Sequence, residues 1–255
     1  MIIYFSATGN NQHIANTIAQ HLNDKKESII QLDKKEQYTI TLEDNEKLGI
    51  IIPTYFLGLP SYVEEYLSKT RIIPAKNNYI YIISTYGTSP GYSTGYIKEY
   101  LEEQNIPTHA QYTIKMPDTW TPFFDVSNKQ KNNTINDNAQ RQTEQIITMI
   151  KERKQGKYTK NTLPKIIANI AQLMYDRQRK TSNLKVDNTC NKCGTCAENC
   201  PINAITVNDD KIEWVTERCV MCLRCLHKCP QFAIQYKNMT RKHGQYINPH
   251  IKTLD

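Results

Sequence analysis

All eight cysteines of this 255-residue chain lie after residue 189, and they fall into one spacing used twice. Cys190, Cys193, Cys196 and Cys200 read C-x2-C-x2-C-x3-C and are followed by Pro201. Cys219, Cys222, Cys225 and Cys229 repeat the run and are followed by Pro230. Three thiolates separated by two residues each reach three irons of one cube only if the backbone curls tightly between them, and Gly194 tolerates the angles of such a curl. The echo extends past the ligands, with Pro-Ile-Asn-Ala-Ile after Cys200 answered by Pro-Gln-Phe-Ala-Ile after Cys229. These apolar residues would shield an inorganic core from water. The two runs start 29 residues apart, so the segment is one half-module duplicated. The spacing predicts a pair of 4Fe–4S clusters, the chemistry of single-electron transfer.

Four-cysteine zinc sites are the competing reading, but they use two separated C-x2-C pairs rather than a triplet closed by Cys-Pro. Disulfides do not suit the context. The segment Met1 to Phe5 is apolar, has no basic leader or cleavage site, and reads as a strand rather than a secretory signal. No apolar run approaches the length of a membrane span. Thiolates held as cluster ligands require a reducing compartment, so the expected location is cytoplasmic.

The net charge of +7 is concentrated in one place: residues 151–185 carry ten Lys and Arg against two Asp and Glu. A basic stretch is commonly read as a nucleic-acid contact. Here oxidised clusters, each a formal dianion with its four thiolates, and a bound phosphate offer a nearer counterpart, and no nucleic-acid partner is expected.

The first 150 residues alternate apolar strands, at 2–5, 28–32, 48–52, 79–84 and 110–116, with helical stretches at 12–22, 60–70, 92–105 and 137–155. That alternation predicts an α/β domain, a doubly wound parallel sheet of order 2-1-3-4-5 with its ligand site beyond the carboxyl ends of the strands. Three strand ends carry suggestive loops. Ser6, Thr8, Gly9, Asn10 and Asn11 place hydroxyls and backbone N–H groups at a helix start, which is a phosphate cradle by geometry and dipole or, more plainly, a helix cap. The cradle lacks a P-loop lysine and the G-x-G-x-x-G pattern, so it suits a monoester phosphate. The loops at 53–60 and 84–91 put Tyr55, Phe56 and Tyr86 beside flexible backbone, where they could sandwich a flat ring.

These residues carry a resemblance. The cysteine half resembles bacterial two-cluster ferredoxins, a small α+β fold. That resemblance implies that Cys190, Cys193, Cys196 and Cys229 hold one cluster and that Cys219, Cys222, Cys225 and Cys200 hold the other. The first half resembles flavodoxin, and the whole chain is similar to fused flavodoxin–ferredoxin proteins found mainly in anaerobic bacteria and archaea. The resemblance implies FMN, with its phosphate on Ser6, Thr8, Gly9, Asn10 and Asn11. Its ring would lie between Thr54, Tyr55, Phe56 and Gly58 on one side and Thr85, Tyr86, Gly87 and Gly91 on the other. Asn11 stands where flavodoxins commonly have a hydroxyl residue, and its amide can still donate to phosphate.

The expected organisation is a flavodoxin-like domain at 1–155, a basic helical connector at 156–186, the two-cluster domain at 187–237 and a tail at 238–255. Residues 117–138 form a long loop, aromatic at Trp120, Phe123 and Phe124 and polar enough to be mobile in its second half. It reads as a lid over the flavin or as a loop packed on the cysteine half. Within the connector, Ile166, Ile167, Ile170, Leu173 and Met174 recur near helical spacing among basic residues. Such a helix lies on membranes or, as expected here, packs its apolar face between the domains. The six histidines are scattered, expected at the surface or as caps.

Three functions remain open on these residues. The first is an electron-transfer protein exchanging electrons with a redox-protein donor or acceptor. The second is a flavin-dependent reductase of a small-molecule acceptor, such as a quinone, nitro or azo compound. The third is a redox-sensing or binding module whose flavin site is vestigial.

Overall fold

A computed structural model describes residues 1–208 and 211–255 of the chain. Strands β1 (Ile2–Tyr4), β2 (Lys26–Ser28), β3 (Thr39–Thr41), β4 (Lys47–Pro53), β5 (Arg71–Ile73), β6 (Tyr79–Tyr86), β7 (Ala110–Lys115) and β8 (Gly156–Tyr158) belong to the first half. Helices α1 (Asn10–Leu22), α2 (Ile29–Lys34), α3 (Ser61–Lys69), α4 (Ser93–Glu103) and α5 (Lys129–Lys151) run between them. Six strands form one parallel sheet in the order β2-β1-β4-β6-β7-β8, and β3 pairs with β5 in a small parallel annex. The first five strands of the large sheet follow the expected doubly wound order, and β8 adds a parallel edge strand.

The central strands explain why the sheet is covered on both faces. In β6 seven of eight residues are buried, and in β4 five of seven, in near-continuous apolar runs rather than alternation. Ile3, Phe5, Ile50, Ile52, Ile80 and Ile82 point to one layer, with α3 and α4. Ile2, Tyr4, Ile51, Tyr81, Ile83 and Tyr112 point to the other, with α1 and α5.

Three local expectations give way. The apolar run 28–32 is a strand for only one residue, because the Ser28 hydroxyl accepts the Ile30 N–H at 3.3 Å and starts α2. A short apolar run does not by itself separate strand from helix. The polar stretch 128–138 is ordered as the first turns of α5, capped by the Asn128 side chain, which accepts the Lys131 N–H at 2.9 Å. Its buried stripe begins with Asn132 and Asn136, which hide the helical period from a hydropathy reading.

The connector forms α6 (Lys165–Gln178), yet of that helix only Ala168 and Tyr175 are buried. Ile166, Ile167, Ile170, Leu173 and Met174 face outward, with Ile166 69 % exposed. The apolar face therefore does not pack between the halves; the opposite face does that work, through Gln172 and Tyr175.

The cysteine half contains β9 (Leu184–Val186), α7 (Thr195–Glu198), β10 (Ile205–Val207), β11 (Ile212–Trp214), α8 (Arg224–Lys228) and β12 (Ile234–Tyr236). β9 pairs antiparallel with β12, and β10 with β11. The duplicated Ala-Ile pairs occupy matching core positions, with Ala204, Ile205, Ala233 and Ile234 all buried. Val220 of this half packs into the core cluster of the α/β half. Among the described residues no helix is long and apolar enough to cross a membrane.

Candidate functional site

Four loops at the carboxyl edge of the sheet enclose a cavity of about 320 Å³. This is the edge at which doubly wound sheets bind ligands, and the volume is that of a small-molecule site. Of the residues anticipated from sequence, Ser6, Thr8, Asn10, Asn11, Thr54, Tyr55, Phe56, Thr85, Tyr86 and Gly87 line it; Gly9, Gly58 and Gly91 do not. The loop after β7 adds Met116, Asp118, Trp120, Phe123 and Phe124, and the cysteine half adds Met221 and Cys222.

The first wall is the β1–α1 loop. Gly9 takes a left-handed conformation (φ 91°), and its N–H donates to the Ser6 hydroxyl at 3.1 Å. The start of α1 leaves the N–H groups of Asn10, Asn11 and Gln12 without intrahelical partners, the arrangement that attracts an anion. The Asn11 side chain is already engaged: its amide donates to the Phe5 carbonyl at 2.7 Å, and its oxygen accepts the Thr85 hydroxyl at 2.6 Å. Asn11 therefore ties the first loop to the third, leaving its backbone N–H for a ligand.

The second wall is a tight hairpin. Tyr55 and Gly58 exchange two backbone bonds of 2.9 Å, with Phe56 (φ 46°) and Leu57 (φ 65°) both left-handed between them. Non-glycine residues hold such angles only when their surroundings enforce them. Here Gln172 of α6 donates to the Tyr55 carbonyl at 2.6 Å and to the Phe56 carbonyl at 3.1 Å. Gly58 is needed for that approach, since a Cβ there would sit 2.4 Å from the Gln172 amide. Gly91 is packed still more tightly, its Cβ position 2.1 Å from the Leu57 carbonyl oxygen at φ +54°. Gly91→Ala is therefore expected to destabilise the α/β half by about 2 kcal/mol or more, measured as a lower midpoint of thermal unfolding by circular dichroism. An unchanged midpoint would mean that the two loops are free to separate.

Asp118 stands against Gly87 and accepts hydrogen bonds from the Thr88 hydroxyl (3.0 Å) and the Trp120 N–H (3.1 Å). Burial pushes its carboxyl above the usual range, and those two donors pull against the shift. Trp120 packs edge-on to Phe56 and to Tyr236, both at 5.4 Å, and its buried ring N–H has no acceptor among the described residues. A flat heteroaromatic ring with carbonyl groups fits this cavity. The cavity is bordered by aromatic rings, carries an unspent indole donor, and includes the open N–H groups at the start of α1.

The cysteines form the second part of the site. All eight thiols are free. Burial dominates at Cys222, Cys225 and Cys196; beyond it, Cys222 feels Cys200 and Cys219, Cys225 feels Cys222, Cys219, Cys200 and Cys196, and Cys196 feels Cys229 and Cys190. That coupling of each fourth cysteine to the other run is what the crossed arrangement of two-cluster domains would require. Burial pushes the Cys222 thiol up to about 12 and Cys196 and Cys219 up to about 11. Cationic iron is the group that would hold such buried sulfurs as thiolates. The duplication is visible in their donors too. Ala204 N–H points to Cys200 Sγ and Ala233 N–H to Cys229 Sγ, each at 3.2 Å, bonds of the kind that tune cluster potential.

Two buried basic side chains join the halves, and neither was anticipated. Arg224, 3 % exposed, donates to the Ser6 carbonyl at 3.3 Å and to the Asp255 carbonyl. His227 is also buried, contrary to the surface position expected of it. Its ring lies between the Thr119 carbonyl (2.9 Å) and the Tyr246 N–H (3.2 Å), and burial pulls it down to about 4. It is thus a neutral stitch between the cavity loop, α8 and the tail. No local sequence pattern marks either role.

The sheet, the cavity and the two cysteine runs define a class: a flavodoxin-like α/β domain joined to an iron–sulfur dicluster domain, suited to electron transfer. The chain belongs to the flavodoxin-domain family, whose model matches residues 1–146, and a 4Fe-4S dicluster domain matches residues 183–230. With eight cysteines in that domain, two 4Fe–4S clusters are implied.

Among curated proteins, hydrogenase-4 component A of Escherichia coli (strain K12) is 33 % identical over 72 residues. The match spans 27 % of this chain and 35 % of that protein, about a third of the relative's length. Among solved structures, flavodoxin of Fusobacterium nucleatum bound to flavin mononucleotide is 14 % identical, with a TM-score of 0.37 over 60 % of this chain and 97 % of that one. Rubredoxin oxygen:oxidoreductase of the anaerobe Desulfovibrio gigas is 17 % identical, with a TM-score of 0.34 over 56 % of this chain and 35 % of that one.

Proposed function

We propose that this protein is an electron-transfer iron–sulfur flavoprotein of a reducing, cytoplasmic compartment, which exchanges electrons between two 4Fe–4S clusters and FMN on behalf of a redox-protein donor or acceptor. One observation carries the reading: Cys222 and Met221 of the cysteine half line the same cavity as Tyr55, Phe56 and the loop of Ser6 to Asn11. FMN would supply a centre able to hold one or two electrons, where each cluster passes one at a time. The chain's part is to bind and orient. The N–H groups of Asn10 and Asn11 would hold the phosphate, Tyr55, Phe56, Tyr86 and Trp120 would border the ring and exclude water, and the Ala204 and Ala233 N–H groups would stabilise charge on Cys200 and Cys229. Residues 1–155 are the flavin unit and 187–237 the cluster unit in this reading.

The test is a cofactor count on protein purified without oxygen. About eight irons per chain, from two clusters of four, with one FMN is the expected result; iron without any flavin would remove the proposal.

Asp118 favours a second reading, reduction of a small quinone, nitro or azo compound at the same cavity. It supplies the wall with a carboxyl whose proton affinity burial raises. Under that reading, Asp118→Asn lowers kcat for the acceptor by about tenfold or more and leaves flavin content unchanged. Full turnover in the variant excludes Asp118 as the acid.

A further inference from the structure

A phosphate cradle works only if its peptide groups face the right way, and in this protein the residues that turn them come from the far end of the chain. The Asn248 N–H donates to the Thr8 carbonyl at 2.8 Å. Because a trans peptide holds its C=O and N–H in opposite directions, drawing the Thr8 carbonyl outward directs the following Gly9 N–H inward, where it meets the Ser6 hydroxyl. The Asn248 side chain and the Tyr246 hydroxyl both donate to Asn10 Oδ1, each at 3.0 Å, which fixes the first residue of α1. Ile251 covers Gly9 so closely that a Cβ there would lie 3.1 Å from its side chain. The amide of Gln12 then donates to the Thr253 carbonyl at 2.9 Å. Asn248 is fully buried although it belongs to a segment without regular structure.

The strap is anchored on the cluster half. The Gln245 amide donates to the Leu226 carbonyl at 2.7 Å and to the Cys229 carbonyl at 2.8 Å, and the Tyr246 N–H to the His227 ring. Every bond it makes to the first half reaches the phosphate loop, the start of α1 or Asn136 of α5; among the described residues, none of segment 246–253 lines the wall that would face a flavin ring.

We infer that residues 246–253 are a clamp on the phosphate loop and set the preference of this site for a flavin that carries a phosphate over one that does not. Tyr246 and Asn248 are positioning residues: they act through Thr8 and Asn10 and touch no ligand. The inference rests on the flavin reading above.

Cluster-loaded protein freed of flavin, handled without oxygen, is titrated with FMN and with riboflavin, and binding is followed by quenching of flavin fluorescence. Asn248→Ala keeps the backbone bond to Thr8 but removes the side-chain donor to Asn10 Oδ1 and the side-chain acceptor of the His250 N–H, and is expected to weaken FMN by about tenfold or more, while riboflavin affinity stays within about twofold. Tyr246→Phe, which removes one hydroxyl and preserves packing, is expected to act in the same direction with smaller size, and iron content checks that each variant is folded. Equal loss for both flavins, or no change for either, overturns the inference. Wild-type protein that takes up neither flavin overturns the flavin reading together with this one, and is recognised before any variant is made.

Discussion

Cys200→Ala is expected to remove the cluster that the second run of cysteines holds, and to spare the one that its own neighbours hold. Cys200 follows Cys196 by four residues, yet the crossed pairing would assign its sulfur to the cluster of Cys219, Cys222 and Cys225, each of which feels its charge. Loss of one of four ligands on a cube is a large effect: about four of eight irons should go, and the surviving signal by electron paramagnetic resonance should match that of Cys222→Ala. If pairing were local instead, Cys200→Ala would match Cys190→Ala. The comparison is between spectra of two variants, so it does not depend on knowing a partner or on retained activity. Because Cys222 stands in the cavity wall, both variants should also change the fluorescence of bound flavin, whereas Cys190→Ala should change it little.

Arg224→Met is expected to lower the potential of that same cluster. The guanidinium is buried, its charge acts on Cys222, Cys200 and Tyr55, and one of its nitrogens, Nε, has no partner among the described residues. An arginine keeps its charge even when burial opposes it, so it stabilises added electrons nearby. Methionine fills much of the volume without the charge. A drop on the order of 50 to 100 mV is expected, one to two tenfold steps at 59 mV each for a one-electron couple. It is read by redox titration, with the other cluster as internal control. A shift shared equally by both clusters would point to general loosening, and no shift would mean that the charge is screened. The loss of the bond to the Ser6 carbonyl should, in addition, weaken the contact between the halves.

Much of this could be read from residues near one another in sequence. The cysteine spacing announces its cofactors because a cube imposes a rigid geometry on a short stretch of chain. The sheet order follows from apolar runs such as 48–52 and 79–84 alternating with helices, and the cavity loops stand out because Ser, Thr, Gly and Pro cluster where those runs stop.

What stayed hidden depends on distant pairs or on polar residues in structural roles. Asn132 and Asn136 begin the buried stripe of α5, where hydropathy sees only a polar stretch. The apolar residues of α6 looked like an interdomain seam, but Gln172 and Tyr175 took that place: Tyr175 stacks on Phe56 at 5.4 Å and donates to the Val220 carbonyl at 2.5 Å. His227 and Arg224 were indistinguishable from surface residues, because burial of a single polar side chain is decided by what folds over it. The tail, which the sequence offered only as an extension past the cysteine half, bonds back to Thr8 and Asn10 of the β1–α1 loop.

That support has a consequence for how the protein is made. Asn10 and Asn248 are 238 residues apart, and a ribosome delivers the second many seconds after the first, at about 5 to 20 residues per second. The α/β half has its sheet and both helical layers in hand long before residues 246–253 emerge. Its pocket then waits, shaped but with its anion loop unsupported, until the cluster half has been synthesised and the strap can swing back. Under the flavin reading, capture of the coenzyme would thereby be postponed to the end of biogenesis, and a chain broken off early would leave an α/β half that holds it loosely.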